Sequence, residues 1–200
     1  MKLLIAIPSL DFVHVDFMRC LVNLTNRLKD EGIDFDVDIR SGTLVYIARN
    51  RLATKAAQGG YTHVLWLDAD MIFTEAVLDD LMWCEKDFVC GVFHARRPPH
   101  MSCIFTSLDP LERVQEYPTE PFEIAGCGFA CVLMKVEVLF KVNFLTCFTP
   151  IPELGEDLAF CKRIGEAGVK MYCEPSCRVG HIGHITIWPE DEQEYQSKLK

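Results

Sequence analysis

Continuous apolar runs that alternate with helical patterns most constrain the fold of this 200-residue chain. KLLIAIP (2–8) and THVLWLDAD (62–70) have the length of strands and lack polar alternation until their ends, as in strands covered on both faces. Between them, apolar residues recur at helical spacing over 17–28 and 44–58, and glycine follows each segment. This order predicts an α/β fold with a mostly parallel central sheet flanked by helices.

The remainder of the chain extends this alternation, although residues 102–122 show no regular pattern. The predicted elements are a helix over about 75–85, a strand at 87–93, a basic loop at 94–100, a strand at 123–135, a helix to about 142, a loop at 149–155, a helix at 156–168, and strands at 170–175 and 178–187. Because no linker, repeat or low-complexity segment interrupts the series, we predict a single domain over residues 1–200, either alone or as one module of a longer polypeptide.

One predicted strand differs from the others because its residues alternate. In IDFDVDIR (33–40), apolar side chains fall on one side and Asp34, Asp36, Asp38 and Arg40 on the other. This period of two predicts a strand with one solvated face. The Asp-x-Asp pairs within the segment are therefore interpreted as part of that face.

The composition disfavours several classes of partner and location. The net charge of −9 opposes binding to nucleic acid, whose phosphates need a basic surface. No stretch approaches the roughly 18 apolar residues of a membrane span, and the apolar start is too short for a signal peptide. The ten cysteines lie mostly in apolar segments and are predicted to be buried, reduced thiols. We therefore predict a soluble, cytoplasmic protein, located in the host cytoplasm if it is viral.

The pair Asp68-Ala69-Asp70 ends a buried strand, unlike the other Asp-x-Asp pairs. Ligands of such sheets bind beyond the carboxyl ends of the strands, where Pro8 and Ser9 also fall. Two hard oxygen ligands there suit Mg²⁺ or Mn²⁺ bridging a diphosphate. The alternative is a strand-end turn with solvated carboxylates.

A second acidic pair, Glu156 and Asp157, opens a predicted helix. The helix dipole and free backbone N–H groups favour negative charge there, so simple N-terminal capping accounts for the pair. The same surroundings would keep a catalytic carboxylate ionised and able to accept a proton.

Two further motifs each allow two interpretations. Four side chains able to bind zinc lie close in sequence: Cys173, Cys177, His181 and His184. Their spacing differs from that of zinc modules, which pair ligands around a knuckle, and the segment is predicted to be extended. The basic loop HARRPPH (94–100) either meets phosphate through Arg96 or Arg97, or is a solvated loop.

The segment AGCGFAC (125–131) lacks the third glycine of a dinucleotide fingerprint. Gly126 and Gly128 are instead interpreted as sites where the backbone approaches a ligand or a neighbouring strand.

In chain order, five stretches resemble compact GT-A-type glycosyltransferases of the family 2-like kind, common in bacteria, phages and large DNA viruses. They cover about half of the residues between positions 3 and 183. The stretches are LIAIPS, ARNRLATKAAQGGYTHVLWLDADMIF, VCGVFHARRPP, AGCGFACVLMKVEVLF and GEDLAFCKRIGEAGVKMYCEPSCRVGHIG. The resemblance implies a GT-A fold.

The resemblance also implies roles for individual residues. Asp70 would be the main metal ligand, with Asp68 contacting the ribose or the metal through water. His181 would be a further metal ligand, with His184 as the competing candidate. Asp157, beside Glu156, would be the general base, which implies inversion at the sugar carbon. The nucleotide side of the site would be completed by Pro8, Ser9, Asp38, Arg49, Asn50, Ala69 and Arg97. The base of the acceptor side would be formed by Gly126 and Gly128.

The implied function is metal-dependent transfer of a sugar from a nucleotide-diphosphate sugar, a UDP-sugar, to a hydroxyl of a glycan or another acceptor. Mn²⁺ or Mg²⁺ would neutralise the leaving diphosphate, and a carboxylate would activate the hydroxyl.

Three alternative functions compete with this one. A non-catalytic nucleotide-sugar binder would use the same residues. A haloacid-dehalogenase-like phosphatase would place its Asp-x-Asp near the start of the chain and Thr or Val where Ile72 stands. A nucleotidyltransferase would have a glycine-rich loop after the first strand, which IPSLDF lacks.

Overall fold

A seven-stranded mixed sheet forms the centre of the computed structural model, which describes residues 1–183. The strand order across the sheet is β2-β1-β3-β10-β5-β11-β8. The strands of this sheet are β1 (Lys2–Pro8), β2 (Asp34–Arg40), β3 (His63–Leu67), β5 (Phe88–Val92), β8 (Phe122–Ile124), β10 (Cys131–Lys135) and β11 (Met171–Arg178).

Five of these seven strands run in one direction. β1 is parallel to β2 and β3, and β11 is parallel to β5. β10 lies between β3 and β5 and is antiparallel to both, while β8 is antiparallel to β11. The predicted α/β class with a mostly parallel central sheet is confirmed, and the carboxyl ends of β1, β2, β3, β5 and β11 meet at one edge.

The helices follow the predicted apolar spacing most closely near the amino terminus. Leu21, Leu24 and Leu28 form the buried stripe of the first helix together with Phe17, as the sequence predicts. The helix predicted over 75–85 is shorter, and the one predicted to about 142 is a 3₁₀ helix. The helices are α1 (Val15–Asp30), α2 (Val45–Gln58), α3 (Val77–Met82), the 3₁₀ helix (Val136–Lys141) and α4 (Glu156–Glu166).

The segment 123–135 is not the single strand that the sequence predicts. It is divided among β8, a short strand β9 and β10, because β9 leaves the central sheet and pairs with β6 of the unassigned 102–122 region. The strands of this second, three-stranded sheet are β6 (Ile104–Leu108), β7 (Leu111–Arg113) and β9 (Gly126–Cys127).

A two-stranded sheet brings the end of the described chain to the strand-end aspartates. β12 (Gly180–His181) pairs antiparallel with β4 (Met71–Ile72), so His181 lies opposite Met71. The long strand predicted at 178–187 is wrong for its described part, because the chain leaves β11 at Arg178 before it reaches β4. His184 and the residues after it lie outside the described chain.

The predicted solvated face of β2 is wrong at Asp38. This carboxylate is largely covered and accepts hydrogen bonds from Arg40 and Lys55, each at 2.9 Å. Val37 and Ile39, expected to be buried, are exposed instead. The reason is that β2 is an edge strand, and Lys55 from α2 covers its acidic side near the carboxyl end.

An aromatic cluster packs beneath the central strands. Phe148 stacks on Phe160 with ring centroids 4.4 Å apart, and Phe129 meets both rings edge-on at 4.8 and 5.1 Å. Trp66 of β3 closes the cluster, 5.1 Å from Phe148. The cluster therefore links α4 to the strand that carries the aspartate pair.

Phe160→Leu is expected to lower the free energy of unfolding by about 1–2 kcal/mol, because it removes buried ring contacts and leaves part of their volume unfilled. Phe140→Leu is the matched control, since Phe140 is 58% exposed. Urea unfolding followed by tryptophan fluorescence measures both variants. Equal stabilities for the two variants would contradict the role of the cluster.

The predicted burial of most cysteines is confirmed. All ten are free thiols, and eight are buried while Cys20 and Cys103 are partly exposed. Among residues 1–183, no helix combines the length and apolar character needed to cross a membrane.

Candidate active site

Six of the predicted donor-side residues line one cavity of about 530 Å³ at the carboxyl edge of the sheet. They are Pro8, Ser9, Asp68, Ala69, Asp70 and Arg97. The remaining lining residues are Leu10, Asp11, Phe12, His14, Val45 and Arg96. Of these twelve, five were not predicted: Leu10, Asp11, Phe12, His14 and Val45. The position of the first four directly after β1 is the signal that could have found them. The strand ends thus bring together six of the residues that the sequence assigns to a nucleotide, whereas Asp38, Arg49 and Asn50 are not among the lining residues.

A larger depression of about 760 Å³ lies beside the β6–β7 hairpin. Thr106, Arg113 and Phe122 are among its lining residues, and none of the strand-end carboxylates is. The chemistry predicted from the sequence therefore concentrates at the 530 Å³ cavity.

Asp70 and His181 meet because β12 pairs with β4. The Ile182 N–H donates to the Asp70 carbonyl at 2.8 Å, and His181 Nε2 lies 3.5 Å from Asp70 Oδ2. His181 Nδ1 lies 2.9 Å from the His94 carbonyl oxygen, which can only accept a hydrogen bond. Nδ1 must therefore carry a proton, and Nε2 faces the carboxylate.

Neighbouring charges set the protonation of this pair. Burial tends to raise the pKa of Asp70, but the hydrogen bond and charge of His181, together with the charge of Arg96, leave that pKa lowered. The hydrogen bond to Asp70 raises the pKa of His181 against the opposing effect of burial. Asp70 is thus held ionised between the Arg96 guanidinium and the His181 ring.

Asp70 and His181 can provide part of a metal site. Their oxygen and nitrogen atoms face each other, and the His94 carbonyl orients the ring as second-sphere partners orient metal-bound histidines. Within residues 1–183, no group of three or more potential ligands converges. Mg²⁺ commonly combines one or two carboxylates with waters and substrate phosphates, so the pair fits an ion that a phosphate ligand completes.

Arg49 lies beneath the cavity and connects the two acidic pairs. It is 3% exposed and donates to Asp68 Oδ1 at 2.9 Å and to the Phe129 carbonyl at 3.2 Å. Its Nε lies 3.7 Å from Glu156 Oε1. The guanidinium also sits over the Phe129 ring, 5.4 Å from the centroid. Arg49 therefore binds protein groups on both sides and does not line the cavity.

Asp68 is partly buried in this network. Burial raises its pKa to about 6, opposed by Arg49 and reinforced by the charges of Asp70 and Asp157. Asn50, which the sequence also places on the nucleotide side, accepts a hydrogen bond from the Phe148 N–H at 2.8 Å. Asn50 thus fixes the loop before α4 and is not among the cavity-lining residues.

Asp157 stands at the first turn of α4, close to Gly128. Its Oδ1 accepts the Leu158 N–H at 2.8 Å, while a Cβ atom at Gly128 would lie 3.4 Å from Oδ2 and 3.1 Å from the Phe93 ring. Burial and the charge of Glu156 raise the pKa of Asp157, with Arg49 opposing them. The sequence predicts that the helix terminus favours the ionised form, but burial and Glu156 have the larger effect on the pKa. The higher pKa makes the carboxylate a stronger base.

The two glycines of the predicted acceptor floor have different surroundings. A Cβ at Gly126 would lie 3.1 Å from Cys161 Cβ and 3.2 Å from the Leu108 side chain, so this glycine allows α4 to pack closely. Gly128 adjoins Asp157 directly. Of the pair, Gly128 is the one next to the candidate base.

The cysteines of the zinc hypothesis are buried in the central sheet. Cys173 is in register with Cys90 on β5, and a Cβ at Gly91 would lie 3.0 Å from Cys177 Sγ. His184 lies outside the described residues. Within the described chain these side chains pack as small apolar groups, and His181 is turned to Asp70 instead.

Comparisons with known proteins relate the chain by fold. No family model matches the sequence, and neither does any curated protein. The crystal structure of A197 from STIV matches with a TM-score of 0.60 at 17% identity, covering 94% of this chain and 97% of that one. The inositol-1-phosphate CTP transferase from T. maritima matches with a TM-score of 0.51 at 10% identity, covering 100% of this chain and 96% of that one.

At these identities the likeness concerns the fold alone. The match extends over 94% or more of each chain in both comparisons. The chain therefore has an α/β fold similar to those of these two structures, with two acidic pairs gathered at the edge where such sheets bind ligands.

Proposed function

We propose that the protein is a GT-A-type glycosyltransferase that moves a sugar from a UDP-sugar to an acceptor hydroxyl with inversion. The observation that carries the proposal is the arrangement of two separate acidic pairs, 68/70 and 156/157, around Arg49 at one sheet edge. One pair lines the cavity, and the other lies at the start of α4, joined to Asp68 through Arg49. Such a division suits a reaction that needs a charged leaving group on one side and a base on the other.

The cavity suits the nucleotide part of the donor. Its loop after β1 and its strand-end residues provide hydroxyl, carboxylate and guanidinium groups within about 530 Å³, a size typical of small-molecule sites. Asp68, held at Oδ1 by Arg49, is proposed to contact the ribose, and Arg97 the diphosphate. A Mn²⁺ or Mg²⁺ ion held by Asp70 and His181 would neutralise the charge developing on the leaving diphosphate.

Asp157 is proposed to accept the proton of the attacking hydroxyl. The acceptor oxygen then forms a bond to the anomeric carbon as the bond from that carbon to the diphosphate breaks. Gly128 supports this placement, because the absence of a side chain leaves Asp157 Oδ2 unobstructed on that side. Glu156 balances the charge of Arg49 and is the second candidate for the base.

Nucleotidyl transfer is the second candidate function, because one structural neighbour is a CTP transferase. The loop between β1 and α1, residues 9–14, contains no glycine, whereas the glycine-rich phosphate loop expected of a nucleotidyltransferase would follow the first strand. Sugar transfer is favoured for this reason. A non-catalytic binder would retain the nucleotide-sugar without forming product.

A panel of nucleotide sugars and nucleoside triphosphates, with and without Mn²⁺, tests the proposal. We expect thermal stabilisation by UDP and UDP-sugars that depends on Mn²⁺, since a ligand bound only by the folded state raises its stability. Incubation with the stabilising UDP-sugar should then release UDP as the sugar is transferred to an acceptor or, more slowly, to water. Release of pyrophosphate from a nucleoside triphosphate would instead establish nucleotidyl transfer, and binding without any product would establish a binder.

A further inference from the structure

Arg96 occupies the carboxylate oxygen that a metal ion would need. Its Nη1 lies 2.5 Å from Asp70 Oδ2, the same oxygen that His181 Nε2 approaches at 3.5 Å. A Mg²⁺ ion binds carboxylate oxygen at about 2.0–2.1 Å. An ion between Asp70 Oδ2 and His181 would thus lie against the guanidinium, where two cations repel strongly.

The backbone around Arg96 is held by hydrogen bonds, while its side chain is partly exposed. The Ala95 N–H donates to the Met101 carbonyl at 2.9 Å, and His100 Nδ1 lies 3.0 Å from the Ala95 carbonyl. A Cβ at Gly183 would lie 3.0 Å from the Arg96 carbonyl oxygen, so the chain packs closely there. The Arg96 side chain itself is 46% exposed. Release of Asp70 would then require a change of the Arg96 rotamer and no movement of the loop.

The cavity offers Arg96 a second anionic partner once a donor is bound. Arg96 lines the cavity with Ser9 and Arg97, on the side where the proposed function places the diphosphate. Without a donor, each strand-end aspartate already has its own arginine, Asp68 with Arg49 and Asp70 with Arg96. A metal ion arriving alone must therefore break an ion pair and receives no phosphate oxygens in exchange.

We infer that Arg96 is an exchangeable counter-ion, which pairs with Asp70 in the free protein and transfers to the donor diphosphate when metal and donor bind together. This inference rests on the proposed function. It makes metal and UDP binding mutually dependent, because each partner removes an obstacle to the other, and such coupling is reciprocal. It also assigns Arg96 a place in donor binding beside Arg97.

Mn²⁺ affinity measured by electron paramagnetic resonance, with and without UDP, tests the exchange. In the wild-type protein we expect weak Mn²⁺ binding alone and much tighter binding with UDP. Arg96→Gln should bind Mn²⁺ alone about tenfold more tightly, because the competing cation is gone, and UDP should enhance its affinity less. Asp70→Ala in the Arg96→Gln background should abolish that gain. Arg19→Gln is the matched control, since Arg19 makes a similar pair with Asp16 at 2.9 Å outside the cavity.

The outcomes separate this inference from the proposed function. Unchanged or weaker Mn²⁺ binding by Arg96→Gln without UDP, while UDP and Mn²⁺ still bind together, would overturn the exchange and leave the transferase proposal intact. No Mn²⁺ binding by either protein even with UDP would overturn the metal assignment on which both depend. A tenfold gain that persists in the double variant would place the ion elsewhere and overturn the exchange.

Discussion

Asp70→Ala is expected to remove the Mn²⁺ dependence of UDP binding while leaving the fold intact. The carboxylate lies at the end of β3, where its contacts are Arg96 and His181 and not the apolar core. Losing the carboxylate that lies 3.5 Å from His181 Nε2 removes half of the proposed metal site. Calorimetric titration of UDP with Mn²⁺, and again after chelation, should show a large difference for the wild type and none for the variant.

Asp87→Ala is the control for this experiment. Asp87 also forms an ion pair, with Lys135 at 2.7 Å, but it is exposed and does not line the cavity. It should retain the full metal dependence. If Asp70→Ala still bound UDP more tightly with Mn²⁺ than without, to the wild-type extent, Asp70 would not be the ligand.

The central sheet was predictable because its strands are covered on both faces. Uninterrupted apolar runs such as 2–8 and 63–67 leave few alternatives to buried strands, and the helical stripe of α1 has the expected spacing. The antiparallel insertion of β10 between β3 and β5 was not predictable. The apolar residues of β10 are compatible with a parallel or an antiparallel strand. The direction is decided by pairing with β3 and β5, which are distant in sequence.

The site was predictable where it depends on strand ends and not where it depends on long-range pairing. Asp68 and Asp70 follow directly from the end of β3. The sequence indicates Arg96 as a phosphate contact or as part of a solvated loop, and not as a partner of Asp70, since that contact requires the chain to fold back across 26 residues. No local pattern encodes such a contact.

Arg49 illustrates how burial changes an interpretation. An arginine in a sequence that resembles a nucleotide-binding stretch is naturally assigned to the ligand. Here the guanidinium is enclosed by Phe129, Phe148, Asp68 and Glu156. Its role in the structure is to hold two carboxylates near each other, which requires tertiary contacts that no short segment specifies.

The base assignment gives the largest expected effect on catalysis. A positioned general base contributes about 10²–10⁴-fold, so Asp157→Asn should lose roughly 3–5 kcal/mol of transition-state stabilisation. Asparagine keeps the acceptor for the Leu158 N–H, so the start of α4 should remain intact. UDP-sugar affinity should change little, because Asp157 does not line the nucleotide cavity.

Two variants on the same helix complete the test. Glu166→Gln at the exposed carboxyl end of α4 should transfer sugar at the wild-type rate, while Glu156→Gln reports on the alternative base. The raised pKa of Asp157 adds a second readout, since the base must be deprotonated to act. Activity should therefore fall as pH decreases through a value above the ordinary range for aspartate, and this dependence should disappear in the residual activity of Asp157→Asn. If Asp157→Asn transferred sugar near the wild-type rate while Glu156→Gln did not, Glu156 would be the base and Asp157 a residue that stabilises the first turn of α4.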